Sequence, residues 1–509
     1  MSAASYDAIV VGGGHNGLVA AGLLAKTGKR TLLLEARDHL GGMADYAAVP
    51  QGLSPTVVEA LDLARHGLKT GGGRMRTHLL AEGGRSLRLD PDDPDATRAA
   101  IAAHSATDAE SWPALQARLA RLAAGLAPFL ERTPPRLALA DWGERWELAR
   151  LGFAVRRMGR EDMRDLLRIL PMNVADLAEE ELQCDALRGL LCFDAVQGNR
   201  VGARSPNTVF NLLLDRVGDG APSVRADART LIAALESAAR AFGAEIRAGA
   251  PVARILVEDG VARGVELASG EAVRAPLLLC GTDPKTALLD LVGAGHLDTD
   301  FVRALRHARG EGMTALLDLT LDGAPPDMPD DPAGVRFVHA PDIRTVERAF
   351  DRAKYGELPD DPPFQMALRA DAEGVWRARL AIQYAPRRLR GQAWDEAAPV
   401  LEKRVLTRLD AFRPGLTDRI AEATLTTPED VEAQTGAPGG HWHHLELGLD
   451  QAYLLRPVPG WAQYATPVDG LFLCGAGSHP GGGLTGQPGL NGARAALAAA
   501  KNGQGAFTS

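Results

Sequence analysis

Cysteine is scarce in this chain. There are four in 509 residues, Cys184, Cys192, Cys280 and Cys474, and no two stand in C-x-x-C spacing. A disulfide scaffold, a zinc ribbon and a paired-thiol redox centre are therefore not expected. Cys280 and Cys474 each end an apolar run, as buried small hydrophobes do. Aromatic residues make up only 5%, too few to suggest an aromatic substrate cage. No stretch approaches the roughly 18 uninterrupted apolar residues of a membrane span. The start of the sequence shows no basic, apolar and cleavable leader, so a cytoplasmic location is the expectation. An excess of positive charge is also missing. Lys and Arg number 56 against 65 Asp and Glu, a formal net charge of −9, which speaks against nucleic-acid binding.

What is present describes a folded protein of several parts. Hydrophobic residues reach 46% and charged residues 24%, and the length exceeds one ordinary core. Residues 6–35 spell a βαβ unit: an apolar strand at Ala8–Val11, a glycine turn, a helix over 18–27 stopped by Gly28, and a strand over 30–34. Short apolar strands alternating with helices predict a parallel, doubly wound sheet. From about 91 to 195 the spacing is helical, over 96–104, 112–130 and 162–170, with breaks expected at Pro113, at Pro134 and Pro135, and at Pro171. Another helix is predicted over 231–242. Four extended segments, 244–247, 252–258, 261–267 and 271–274, then predict a β-meander with turns at Asp259-Gly260 and Ser269-Gly270. Strands over 313–321, 377–384 and 471–474 follow, with helices over 394–412 and 491–500 and a loop at 323–332.

Three motifs carry the chemistry. Gly12, Gly14 and Gly17 fit G-x-G-x-x-G between a strand and a helix, where glycine allows a tight turn and close approach of a pyrophosphate. Glu35 ends the second strand, placed to accept hydrogen bonds from ribose hydroxyls. Arg37, Gly41, Gly42 and Met43 follow at once, two glycines for backbone approach and an arginine able to neutralise a diphosphate. Far along the chain, Gly475, Gly477, Gly486 and Asn491 belong to a strand, glycine-rich loop and helix. Such a loop can pass a flat ring, and its helix start can stabilise negative charge.

The R-x-x-x-G-G extension resembles that of flavoproteins of the glutathione-reductase-like superfamily. The block from Cys474-Gly-Ala-Gly477 through His479-Pro-Gly-Gly-Gly483 to Asn491 resembles the phytoene desaturase-like FAD-dependent oxidoreductases. Within them it is most similar to the subgroup of the pyridine nucleotide-disulfide oxidoreductase domain-containing protein 2. Preceding positions Gly439 to His444, Glu446, Leu447, Asp450, Gln451, Leu455-Arg456-Pro457, Gly460-Trp461 and Tyr464 share the likeness. The resemblance implies an α/β fold: a Rossmann-like FAD-binding domain with a β-meander and a mixed, largely helical substrate domain. The FAD-binding part is expected from 1–90, 206–295 and 461–509, and the substrate domain from 91–205 and 296–460. Val252 joins the implied cofactor-binding set.

One departure stands out. Where relatives carry a Gly-Gly-Met-Gly-like segment, this chain has Val224-Arg-Ala-Asp-Ala228, so the substrate side of the flavin is expected to differ. No second glycine fingerprint follows a strand, which leaves oxygen or a quinone as the expected acceptor. His444 and His479 are the candidate catalytic residues. Histidines alternating along a strand would not converge on one ion, and no metal site is expected at His441, His443 and His444. Glu446, Asp450 and Lys285 are expected to be structural or superficial. Three functions remain: a desaturase or dehydrogenase of a small hydrophobic substrate, an amine or amino-acid oxidase, and a non-catalytic flavin-bound scaffold. The partly amphipathic stretch 142–158 raises peripheral membrane contact as a further expectation, with a homo-oligomer also open.

Overall fold

The structure is a computed structural model, and it describes residues 6–69, 75–81, 86–136, 142–217, 224–325, 332–371 and 373–501. A five-stranded parallel sheet organises the nucleotide-binding half. Ala8–Val11 lies at its centre, flanked by Leu278–Cys280 and then Leu471–Leu473 on one side, and by Thr31–Leu34 and then Glu245–Arg247 on the other. The four strands inside the edge strand Glu245–Arg247 are short, buried and almost wholly apolar because both faces are covered. Helices His15–Lys26, Ala228–Ala241 and Gln487–Lys501 pack on one face through Leu18, Leu231, Leu235, Leu490 and Ala493. On the other lie Ile255, Val265 and Val273 of an antiparallel ribbon, with Leu288 and Phe301. That ribbon is three-stranded, Val252–Glu258, Val261–Leu267 and Ala272–Arg274. The first of the four strands expected in the meander belongs instead to the edge of the parallel sheet.

A seven-stranded mixed sheet forms the second half. Thr314–Leu321 sits between Trp376–Gln383 and Ile420–Thr426, and Phe364–Ala370 and Val335–His339 continue beyond Trp376–Gln383. Arg76–Leu79 and Leu87–Leu89 complete it. Residues 76–89, expected with the N-terminal FAD-binding part, thus serve the other sheet. Helix Thr208–Asp215 likewise packs into the helical core through Val209, Leu212 and Leu213, not into the nucleotide-binding half. One face of the large sheet is closed by helix Trp394–Phe412 through Leu401, Val405 and Leu409. Parts of the opposite face, Leu316 and Ala381, meet Tyr46 and Val431, with Met43 and Trp442 against them.

The helical region holds one surprise against the sequence pattern. Helix Ala106–Leu130 continues through both Pro113 and Pro128, capped by Ser105, whose hydroxyl accepts the Asp108 N–H at 3.1 Å. Pro113 lies on the exposed face and costs the helix one backbone hydrogen bond, the one to the Ala109 carbonyl. Helix Gln487–Lys501 begins four residues earlier than predicted, with Pro488 in its first turn, where a missing N–H does no harm. The expected loop at 323–332 lies partly outside the described residues.

Candidate functional site

The strands of the parallel sheet deliver their C-terminal ends to one edge, the place where such sheets bind nucleotides. Gly12 turns there with φ of +101°, and Gly14 begins helix His15–Lys26. Gly17 is needed for packing. A Cβ on it would lie 1.9 Å from the Gly12 carbonyl oxygen. Gly14 is different: a Cβ there meets nothing closer than the Gly41 carbonyl at 3.7 Å. The space beside it is open, and the free amides of a helix start face it.

The second glycine pair closes onto the first. Gly41 N–H donates to the Gly13 carbonyl at 3.1 Å, and Gly14 bridges Gly41 in parallel. Glu35, buried, accepts from the Gly13 N–H with Oε2 at 2.6 Å and from the Arg37 N–H with Oε1 at 2.9 Å. Arg37 in turn donates to Asp45 at 2.9 Å. The meander arrives beside them, because Gly249 and Ala250 donate their N–H groups to the carbonyls of Arg37 and Glu35. Val252 itself packs into the meander core. Met43 packs near Trp442 under the large sheet.

The C-terminal loop stacks on the same edge. A Cβ on Gly475 would be 2.6 Å from the Gly281 carbonyl oxygen, and one on Gly477 would strike Pro284 at 2.2 Å. Gly486 (φ +70°) rests on Val19 and Val57, and Gly489 on the Asn16 carbonyl, tying the last helix to the first. Asn491 Nδ2 donates to the buried Tyr464 hydroxyl at 3.0 Å, which donates to the His479 carbonyl at 2.9 Å. Gln487 donates to Asn491 Oδ1 at 2.9 Å and accepts from Thr56 at 2.7 Å. The two ends of the chain therefore build one site, and the glycines singled out in the sequence meet there.

The imidazoles are held neutral. Burial lowers His444 and His479 to about 3 and His15 and His443 to about 4. His479 donates from Nε2 to the Phe129 carbonyl at 2.8 Å, which clamps the ring in place. His444 sits in a turn at φ +61°, with its Nδ1 buried and unpartnered. The 441–445 segment is a turn, not the strand assumed from the sequence, so face alternation does not describe it. His441 accepts the His443 N–H at Nδ1, 3.1 Å away, which puts its proton on Nε2. That N–H donor is buried without a partner, as are Trp442 Nε1 and the Gln365 carbonyl oxygen. Gln365 and Trp442 lie around Gln197 and Gly198. Gln365 donates to Gln197 at 2.6 Å, and a Cβ on Gly198 would touch both His443 and Trp442. Lys285 reaches the Arg306 carbonyl at 3.5 Å, on the surface side.

Several residues of this site carried no signal as site residues. Arg456 is fully buried, Asp283 nearly so at the ligand edge of the sheet, and His15 and Asn16 are the unspecified positions of the first glycine motif. Thr282 Oγ1 and His15 Nε2 are buried there without partners among the described residues, as groups that meet a polar ligand are. At 224–228, where relatives were expected to place glycines, Val224–Ala226 pairs antiparallel with Gln51–Leu53, and Asp227 caps the next helix by accepting the Thr230 N–H at 3.1 Å.

A glycine turn, an acidic strand end and a backbone-lined slot at the edge of a parallel sheet define a Rossmann-like dinucleotide-binding oxidoreductase fold. The family model of the NAD(P)-binding Rossmann-like domain matches residues 10–82. The chain is 29% identical to the pyridine nucleotide-disulfide oxidoreductase domain-containing protein 2 of Rattus norvegicus, over 98% of this chain and 94% of that protein. It is 26% identical to the phytoene desaturase (neurosporene-forming) of Cereibacter sphaeroides, covering 94% and 92%. A solved structure of a redesigned putrescine oxidase shares the fold at 14% identity, with a TM-score of 0.59 and coverage of 98% and 99%. Over nearly its whole length the chain is thus similar to a phytoene desaturase and to the pyridine nucleotide-disulfide oxidoreductase domain-containing protein 2.

Proposed function

We propose that the chain is an FAD-dependent oxidoreductase that oxidises a small organic substrate lying between Met43, the 475–486 loop and the large sheet. The observation that carries this is the slot itself. Gly13-Gly14 and Gly41-Gly42 are zipped together with room beside Gly14, in register with a second glycine loop that only a long, flat dinucleotide would need. Bound FAD supplies the acceptor of the substrate's hydride. The chain's residues do the rest. The helix start at His15 receives the diphosphate, and Arg37 sets its charge nearby. Glu35 orients the glycine turn. The start of helix Gln487–Lys501 offers its positive dipole to the ring's electron-rich edge.

The family likeness supports a desaturase or dehydrogenase acting on an apolar molecule, with oxygen or a quinone as the final acceptor. The unpartnered polar atoms of His441, Trp442 and Gln365 favour a second reading, an amine or amino-acid oxidase, because a hydrocarbon would leave them unpaired. The test begins with purified protein loaded with FAD, whose absorption bands are expected at about 370 and 450 nm. A chain that cannot be loaded removes the proposal. Anaerobic mixing with polyenes, amines and amino acids then follows bleaching of the flavin, and peroxide release with amines selects the second reading. A loaded protein that no substrate and no reductant bleaches is not an enzyme of this class.

A further inference from the structure

Arg456 is the largest fully buried side chain in the structure. Every hydrogen bond it makes among the described residues goes to a backbone carbonyl. Its Nε donates to Ala476 at 3.2 Å and Ser478 at 3.3 Å. Nη1 donates to Glu446 at 2.9 Å and Gln451 at 3.2 Å. Nη2 donates to Ala476 at 2.7 Å, His443 at 2.8 Å and Leu445 at 3.1 Å. One guanidinium therefore ties the histidine turn to the glycine loop that follows the last sheet strand. Burial lowers it to about 9, which still leaves it cationic at neutral pH. Among the described residues no carboxylate pairs with it by hydrogen bond, though the buried Asp283 lies within reach of its field.

An apolar side chain would fill the same volume without the cost of burying a charge. The cation has a consequence that packing alone does not require. In a trans peptide the C=O and N–H point in opposite directions. Turning the carbonyls of Ala476 and Ser478 towards Arg456 turns the N–H groups of Gly477 and His479 away from it. Neither N–H has an acceptor among the described residues. Both stand in the loop that the proposed function places against the flavin.

Resting on that reading, we infer that Arg456 is a positioning residue for the flavin: it aims the Gly477 and His479 amides at the electron-rich edge of the ring and, by its buried charge, raises the flavin's reduction potential. The guanidinium touches neither substrate nor ring. It works through the loop.

The test uses the full chain loaded with FAD, in wild-type, Arg456→Lys and Arg456→Gln forms. Three properties are read: the midpoint potential, the affinity for sulfite, whose flavin adduct is anionic, and the rate of FAD loss. Arg456→Gln is expected to lower the potential and weaken sulfite binding by about tenfold or more, as loss of oriented positive charge does. Arg456→Lys keeps the charge but offers fewer donors, so it should hold a near wild-type potential while releasing FAD faster. An unchanged potential in Arg456→Gln overturns the inference, and so does an Arg456→Lys protein that matches the glutamine variant in potential. If Arg456→Gln does not fold, Arg456→Lys decides alone: faster FAD loss at near wild-type potential supports the inference, and any other pattern overturns it. A wild-type chain that takes up no FAD defeats the proposed function instead, which keeps the two failures apart.

Discussion

Glu35 Oε2 accepts the backbone N–H of Gly13 at 2.6 Å, so the acid that ends one strand fixes the turn that leaves its neighbour. The carboxylate also accepts from the Arg37 N–H at 2.9 Å, using both oxygens on backbone donors. A neutral amide cannot do this, because one end would present N–H to N–H. Glu35→Gln is therefore expected to weaken FAD binding about ten- to hundredfold, the scale of a lost charge-assisted hydrogen bond. Fluorescence titration of the apoprotein with FAD measures it. An unchanged affinity would show that the turn holds its shape without the acid.

Gly14 and Gly17 separate binding from folding. A Cβ on Gly17 has no room against the Gly12 carbonyl, so Gly17→Ala is expected to lower the thermal midpoint of the apoprotein markedly. Gly14 has ordinary backbone angles (φ −71°, ψ 173°) and open space beside it. Gly14→Val should leave the apoprotein midpoint within a few degrees and still abolish FAD retention, because the added methyls occupy the path of the pyrophosphate. Melting curves of both apoproteins, followed by gel filtration with FAD, give the two answers. If Gly14→Val retains FAD, the diphosphate runs elsewhere.

The contrast between these glycines was only half legible in the sequence. The fingerprint named both, and strand, turn, helix and acid fell where the pattern placed them, because each is set by local preference. The large sheet was not legible in the same way. The pairings that join it, 76–79 with 335–339 and 314–321 with 420–426, bring together strands far apart along the chain. Only tertiary pairing selects them. Arg456 shows the limit most plainly. Nothing beside Leu455 and Pro457 announces that a guanidinium will be enclosed by carbonyls from two distant loops.

Asp283 gives the protein a pH dependence of opposite sign to that of the histidines. Burial lifts its carboxyl from the ordinary 3.8 to about 7. The folded chain then keeps a proton that the unfolded chain has released, so this group's contribution to stability falls as the pH climbs from about 4 to 7 and stays low above. The histidines, lowered from 6.5 to about 3 or 4, contribute fully above 6.5 and lose that contribution as the pH drops towards 4. Asp283→Asn keeps the oxygen that accepts the Lys285 N–H at 2.7 Å and removes the titration. The variant is expected to be more stable than the wild type at pH 8, by about 2–4 kcal/mol, with the gap narrowing towards pH 5. Urea midpoints of the two apoproteins across that range test it, since the histidines act equally in both. A gap independent of pH would mean that the carboxyl does not titrate there.

The thiols supply a last test, bearing on the disulfide chemistry in the name of the similar rat protein. Cys280 and Cys474 end neighbouring strands, and the Cys474 N–H donates to the Cys280 carbonyl at 2.8 Å. Their side chains nonetheless enter different cores, Cys280 with Ile255 and Val265, and Cys474 with Leu18 and Leu490, on opposite faces of the sheet. Burial pushes Cys280 up to about 12, Cys192 well above its ordinary value, and Cys474 likewise. None of the three supplies a thiolate at neutral pH. Cys184 alone is partly exposed. Titration of the native protein with a thiol reagent is expected to modify about one cysteine, lost in Cys184→Ser, and all four only after denaturation. Rapid labelling of a second cysteine in the native protein would reopen the question of a thiol pair, because it would require one of these strands to leave its core.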